Sequence, residues 1–138
     1  MKVTILISEY ASISRDGKLN IMGMFRQITA RKFPAVFQMM YAVAIMEAEL
    51  GEVVDQVHDA SVVLVDADGK ELGRMNGKFK FPSRRGNLQP RAQLMLRLPN
   101  VAFPAPGAYD FILVVDNQNR ASETILLVEH KGQQREEP

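Results

Sequence analysis

The sequence predicts an all-β fold with a single domain. Three observations support this prediction. Apolar residues alternate with polar ones in several segments, turn residues separate those segments, and Phe-Pro pairs mark three of their ends. The strands are expected near residues 2–11, 18–29, 38–50, 57–66, 70–81, 91–99, 108–116 and 121–129.

The alternation is clearest in the segment RAQLMLRL, residues 91–98, where Ala92 and three leucines fall on one face of a strand. Two further segments repeat it. Their apolar sets are Tyr109, Phe111, Leu113 and Val115, and Met75, Gly77, Phe79 and Phe81. A helix would not keep a period of two in three separate places.

The turn residues agree with this strand pattern. Asp16-Gly17 and Asp68-Gly69 each lie between apolar runs and predict two-residue hairpin turns, in which both central residues need positive φ. Asp116-Asn117 is expected in a slightly longer turn. Short strands at this spacing favour an antiparallel β-sandwich of about eight strands, immunoglobulin-like or C2-like in architecture.

Three Phe-Pro pairs close or precede apolar runs: Phe33-Pro34, Phe81-Pro82 and Phe103-Pro104. Proline cannot donate to a strand ladder, so it stops pairing there. The phenylalanine beside it can plug the end of a core. The domain is expected to span residues 1–129. The tail 130–138, HKGQQREEP, lacks an apolar residue and is expected to be disordered.

Several blocks together carry a family resemblance: MKVTILISEYAS, DGKLNIMGMF, KFPAVF, VDADG and FPAPGAYDFILVVD. They resemble a family of small uncharacterised bacterial proteins over most of residues 1–129. The resemblance implies a β-sandwich and no known activity. It transfers no catalytic residue to this chain, which has more methionine than the family leads us to expect.

The composition limits the chemistry that the chain can perform. Its 138 residues include no cysteine and only two histidines, His58 and His130. Disulfides and cysteine metal sites are therefore impossible, and groups for acid-base chemistry are few. The net charge of +1 gives no global argument for nucleic acid or membrane binding. No signal peptide or membrane span is expected, so we predict a soluble, cytoplasmic protein without a cofactor.

Two segments could in principle bind a metal. Asp66-Ala-Asp68-Gly69 resembles the start of a calcium loop, but position twelve of that loop would be Gly77 instead of glutamate. Loops at one end of a sandwich could also pool four aspartates, namely Asp16, Asp66, Asp68 and Asp116. Residues 55–59 offer Asp55, His58 and Asp59. Hairpin turns and a solvated loop explain both segments better, because metal sites usually need a fuller ligand set.

An enzymatic site is hard to assemble. No serine lies in a Gly-x-Ser-x-Gly context, and His58 is the only plausible base. Because no nucleophile, base and orienting group can be combined, we predict that the protein is not an enzyme.

The charges are strongly divided along the chain. Residues 47–68 carry seven acidic residues and no base, whereas residues 70–97 carry eight bases against Glu71 alone. Cross-strand pairing explains part of this division. The alternative is a basic patch of Lys78, Lys80, Arg84 and Arg85 that binds an acidic protein or, less favoured, nucleic acid.

Some strands are apolar on both faces, which a half-exposed sheet should not be. In MMYAVAIMEA, Tyr41, Val43 and Ile45 share one face, and Met40, Met46 and three alanines share the other. Met22 and Met24 likewise lie opposite Leu19 and Ile21. A loop such as 30–37 or 82–90 could cover this Met/Ala face, or it could form a homodimer or partner surface.

These observations favour a non-catalytic interaction or structural module, self-associating through the Met/Ala face. The candidate residues are Met22, Met24, Met40, Met46, Lys78, Lys80, Arg84 and Arg85. A small-ligand or carbohydrate-binding sandwich is an alternative, although such modules use exposed aromatic platforms. The chain has no tryptophan, and Tyr41 and Tyr109 are expected to be buried.

Overall fold

A computed structural model describes residues 1–130. Within that range the chain forms nine β-strands. They are β1 (Lys2–Ile13), β2 (Leu19–Met24), β3 (Gln27–Ala30), β4 (Ala35–Glu47), β5 (His58–Val65), β6 (Glu71–Phe79), β7 (Arg91–Phe103), β8 (Gly107–Val115) and β9 (Gln118–Glu129). The all-β prediction is confirmed, with nine strands in place of eight.

The strands form two sheets. The first has the order β2-β1-β4-β7 and the second has the order β3-β9-β8-β5-β6. All pairs are antiparallel except β3 with β9, which run parallel. The prediction of a wholly antiparallel arrangement is therefore wrong at β3. The immunoglobulin-like or C2-like topology stays a prediction.

The expected strand 18–29 is in fact two strands in different sheets. Its break lies just after Gly23, whose φ is +72° and whose missing Cβ would stand 2.7 Å from the Glu9 carboxylate. Phe25 still donates its N–H to Ile7 of the first sheet, whereas Arg26 accepts from Leu126 of the second. The chain thus crosses between the sheets within two residues, which brings β3 alongside β9 in the same direction.

One core lies between the two sheets and takes residues from both. The alternation of apolar residues correctly predicts which residues of β8 enter the core: Tyr109, Phe111, Leu113 and Val115 are all buried. Phe81 and Phe103 of the Phe-Pro pairs are also buried, and Phe33 packs against the same core. The predicted packing of these phenylalanines into the core is confirmed; their position at its ends stays a prediction.

The hairpin turns differ from the predictions in length. Asp116 and Asn117 both have positive φ and connect the pair Val115–Gln118, so they form a two-residue turn. The two Asp-Gly pairs instead lie in three-residue loops, in which only the glycine, Gly17 or Gly69, has positive φ. A type I turn followed by a left-handed glycine gives this loop, so Asp-Gly serves either length.

The last strand pairs slightly beyond its own end. The backbone N–H of His130 donates to the carbonyl oxygen of Ala30 at 2.7 Å, so pairing extends one residue beyond β9. The remainder of the predicted tail, 131–138, lies outside the described residues.

Candidate interaction surface

The two faces of β4 belong to different apolar clusters. Met40, Ala42, Ala44 and Met46 lie in the core shared by the sheets. Val43 and Tyr41 lie in a second cluster, against which Met39 and Ile45 pack. This second cluster contains residues of the first sheet alone, so it occupies the face turned away from the second sheet.

The Met/Ala face of β4 is therefore core and cannot be a contact surface in this fold. Met40 and Met46 have no exposed surface. Their assignment to an interaction surface is wrong, because β4 is a central strand and this face meets the second sheet. The candidate surface on β4 is the opposite face, and neither loop 30–37 nor loop 82–90 contributes to the cluster there.

The first sheet is curled around this second cluster. Leu19 on β2 and Gln93 on β7 line the same groove, although β2 and β7 are opposite edges of the sheet. The groove has a volume of about 530 Å³ and lies between the turn of the first hairpin and the ends of β4 and β7. We call the second cluster and this groove the curled face. Its apolar residues are Leu6, Ala11, Leu19, Ile21, Met39, Tyr41, Val43, Ile45 and Met95.

The curled face has an apolar centre and a charged rim. Val43 is fully buried at the centre, and the rings of Tyr10 and Tyr41 meet edge to face at 5.5 Å. At the rim, Lys18 pairs with Asp16 and Arg91 pairs with Glu47, each at 3.2 Å. An apolar centre within a polar rim is the usual anatomy of a protein–protein contact.

Met22 and Met24 lie on β2, at the edge of the same sheet. They are 64% and 58% exposed, respectively. They are therefore available for contact, unlike Met40 and Met46, and their predicted role stays a prediction.

The predicted basic patch is divided by an ion pair. Lys78 on β6 contacts Asp59 on β5 at 2.5 Å, as the cross-strand pairing predicts. Lys80, Arg84 and Arg85 are exposed and form no ion pair with any carboxylate in residues 1–130. Any binding of an acidic partner would therefore depend on these three residues.

His58 and Asp116 form the one close histidine–carboxylate contact in the part of the chain that the structure describes. The Nδ1 atom of His58 lies 2.6 Å from an Asp116 carboxylate oxygen, and the backbone N–H of Asp59 donates to the other oxygen at 3.0 Å. The His58 ring stacks on Phe79 and meets Phe81 edge-on. The hydrogen bond from His58 lowers the pKa of Asp116 below its ordinary value, with a smaller contribution from the Asp59 N–H.

The pair should contribute to stability only while Asp116 is ionised. A carboxyl group whose pKa is lowered by folding stabilises the protein above its unfolded pKa, here 3.8, and loses that effect as the pH falls through its folded pKa. Because the Asp116 side chain is about half exposed and solvent screens the contact, we expect Asp116→Asn to lower the free energy of unfolding by at most about 1 kcal/mol at pH 5. The difference from wild type should shrink as the pH falls below 3.8. Asparagine tolerates the positive φ, so the turn is kept.

Urea unfolding followed by circular dichroism would measure this difference across the acid range. Asp68→Asn, in another hairpin turn, is the matched control, because it removes an exposed carboxylate that has no histidine partner. A difference between wild type and Asp116→Asn that stays constant down to pH 2 would contradict the assignment.

Two of the other candidate aspartates form hydrogen bonds within their own turns. Asp16 accepts from Ser14, and an Asp66 carboxylate oxygen accepts two N–H groups of its own turn. The Nε2 atom of His58 is buried and has no hydrogen-bond partner among the described residues. Within residues 1–130, no three His, Asp or Glu side chains are grouped closely enough to hold a metal ion.

In structural class, the chain is a two-sheet, all-β protein with an apolar face outside the core between its sheets. The chain belongs to a family of unknown function, DUF6941, whose model matches residues 3–128. The resemblance to an uncharacterised family is therefore confirmed.

A comparison with curated proteins finds no match. Among solved structures, the chain is similar to Pseudomonas fluorescens alkylpurine DNA glycosylase AlkC bound to DNA containing an abasic site analog. The identity is 11% and the TM-score is 0.41. The match covers 90% of this chain and 30% of the glycosylase chain.

The described residues include no helix that is both long and apolar enough to cross a membrane.

Proposed function

We propose that the chain is a non-catalytic interaction module that associates with a second copy of itself through the curled face. One observation carries this proposal. The apolar residues of the curled face lie on the side of the first sheet that the second sheet does not cover. The curl of the first sheet buries Ala11, Tyr41 and Val43, and the six other apolar residues of this face stay partly exposed. A partly exposed apolar patch outside the core is typical of an interaction site.

The charges at the rim favour a second copy as the partner. The rim carries both signs, in the pairs Lys18–Asp16 and Arg91–Glu47. The net charge of the whole chain is only +1. Two copies therefore repel each other little, and a twofold arrangement would place each rim against its own symmetry mate.

Two alternatives rank below this proposal. An acidic partner, protein or nucleic acid, could bind Lys80, Arg84 and Arg85, but Lys78 is already paired with Asp59. Carbohydrate binding would need an exposed aromatic platform. Tyr41 and Tyr109 are buried as expected, which leaves Tyr10 as the exposed tyrosine.

Met95→Glu tests the proposal. Met95 is a half-buried residue of the curled face on the edge strand β7, directly opposite Val43. A glutamate there would be buried without a partner if two copies met, so we expect the dimer Kd to rise by at least about tenfold, or about 1.4 kcal/mol. Analytical ultracentrifugation from micromolar to millimolar concentration would measure it.

Leu126→Glu is the matched control, because Leu126 is a 43% exposed apolar residue on β9 of the second sheet. It should leave the dimer Kd unchanged. A wild type that is monomeric at millimolar concentration would refute self-association. Equal effects of the two variants would place the contact elsewhere, and thermal unfolding checks that both fold.

A further inference from the structure

A cleft lies in the seam between the two sheets, away from the curled face. Strand β6 is an edge of the second sheet and β7 is an edge of the first, and the two edges lie side by side. The core can open to the outside where such edges fail to meet. The seam is therefore the place where a small molecule could reach apolar side chains.

Two glycines on β6 decide where the seam is closed. At Gly77 an added Cβ would lie 3.3 Å from side-chain atoms of both Leu94 and Leu96, so β7 packs tightly against the bare backbone there. At Gly73 an added Cβ would meet nothing within 4 Å, and φ is not in the left-handed region. Gly73 thus leaves a space that an ordinary strand residue could fill without strain.

The space beside Gly73 is a cleft of about 280 Å³. Its walls include the core residues Val62, Leu64, Leu98 and Phe111, all at least nine-tenths buried. The one charged side chain in the lining is Arg74, which makes a two-pronged contact with Glu71 at 3.0 and 3.2 Å. The lining is therefore mainly apolar, with Asn100 as its other polar side chain and its single charge already neutralised.

We propose that this seam cleft binds an uncharged aliphatic molecule of about ten carbons. An apolar cavity of about 150 Å³ stays dry and accepts benzene. The seam cleft is nearly twice as large. A charged ligand would have to break the Arg74–Glu71 pair or leave its own charge unpaired, whereas an alkyl chain needs neither. The site is distinct from the proposed self-association surface.

The test is a titration of wild-type protein with straight-chain alcohols from butanol to dodecanol, followed by methyl NMR. We expect saturable shifts at Val62, Leu64 and Leu98. The affinity should rise about fourfold per methylene group until the cleft is filled near ten carbons, and then level off. Octanoate should bind at least tenfold more weakly than octanol.

Gly73→Leu should fill the cleft and weaken octanol binding at least tenfold. Asn76→Leu is the matched control, because it adds the same side chain to the opposite, solvent-exposed face of β6 and should leave binding within twofold of wild type. Thermal unfolding checks that both variants fold.

Four results would overturn the proposal. They are the absence of saturable shifts, shifts confined to Val43 and Ile45 of the curled face, equal effects of the two variants, and octanoate binding as tight as octanol binding. Because wild-type shifts alone locate the ligand, the test does not depend on the folding of either variant.

Discussion

Met46→Ala should lower the free energy of unfolding by about 2–5 kcal/mol, the usual cost of truncating a buried methionine. Met46 has no exposed surface and lies in the core between the two sheets. Its removal leaves a cavity among residues that are held in place by the β1–β4 and β4–β7 ladders, so the site can close only partly. Urea unfolding followed by circular dichroism would measure the loss.

Met22→Ala is the matched control, because Met22 is 64% exposed on an edge strand. The same substitution there should change the free energy of unfolding by less than about 0.5 kcal/mol. Similar costs at the two positions would mean that β4 presents the opposite face to the core. The assignment of the curled face to the outside of the sheet would then be wrong.

Gly77→Val should lower the free energy of unfolding by about 1–3 kcal/mol, the usual penalty for overpacking a core. The added Cβ would lie 3.3 Å from side-chain atoms of Leu94 and of Leu96, and the two further methyl groups of valine add bulk to this tight contact. The second sheet would have to move away from β7, or the leucines would have to change rotamer. Thermal and urea unfolding would both report the change.

Gly73→Val, four residues earlier on the same strand, should instead raise the free energy of unfolding. Nothing lies within 4 Å of the added Cβ, so valine enters an open cleft. Replacing glycine within a strand removes an entropic cost of about 0.5–1 kcal/mol. A loss of stability at Gly73 equal to that at Gly77 would show that the seam is closed along its whole length.

Sequence patterns predict the second sheet better than the first. The alternation in residues 108–116 assigns the buried face of β8 correctly, because both aromatic residues of the strand lie on that face and Asp110 lies on the other, although Ile112 and Val114 also lie on the outer face. The pattern of β4 does not show which of its faces is buried. Its two faces are equally apolar, and only the position of the second sheet makes one of them core.

Two other features depend on contacts that no local pattern contains. His58 and Asp116 are 58 residues apart in sequence, and they meet because β5 pairs with β8 in the register Ala60–Val115. Taken by itself, Asp116 looks in the sequence like a turn residue, and nothing near it indicates a contact with His58. The change of sheet after Gly23 is partly visible in sequence, since a glycine within a strand often marks a bend.

The crossing from β2 to β3 also affects the order in which the protein can be completed on the ribosome. Among residues 1–130, strand β3 pairs only with β9, and Gln27 and Leu126 are about 100 residues apart in the chain. At a synthesis rate of about 5–20 residues per second, β3 waits roughly 5–20 s for its only partner to be made. During that time the second sheet lacks both β9 and β3. The nascent chain therefore exposes apolar strand surface for seconds, which is long enough for a chaperone to bind.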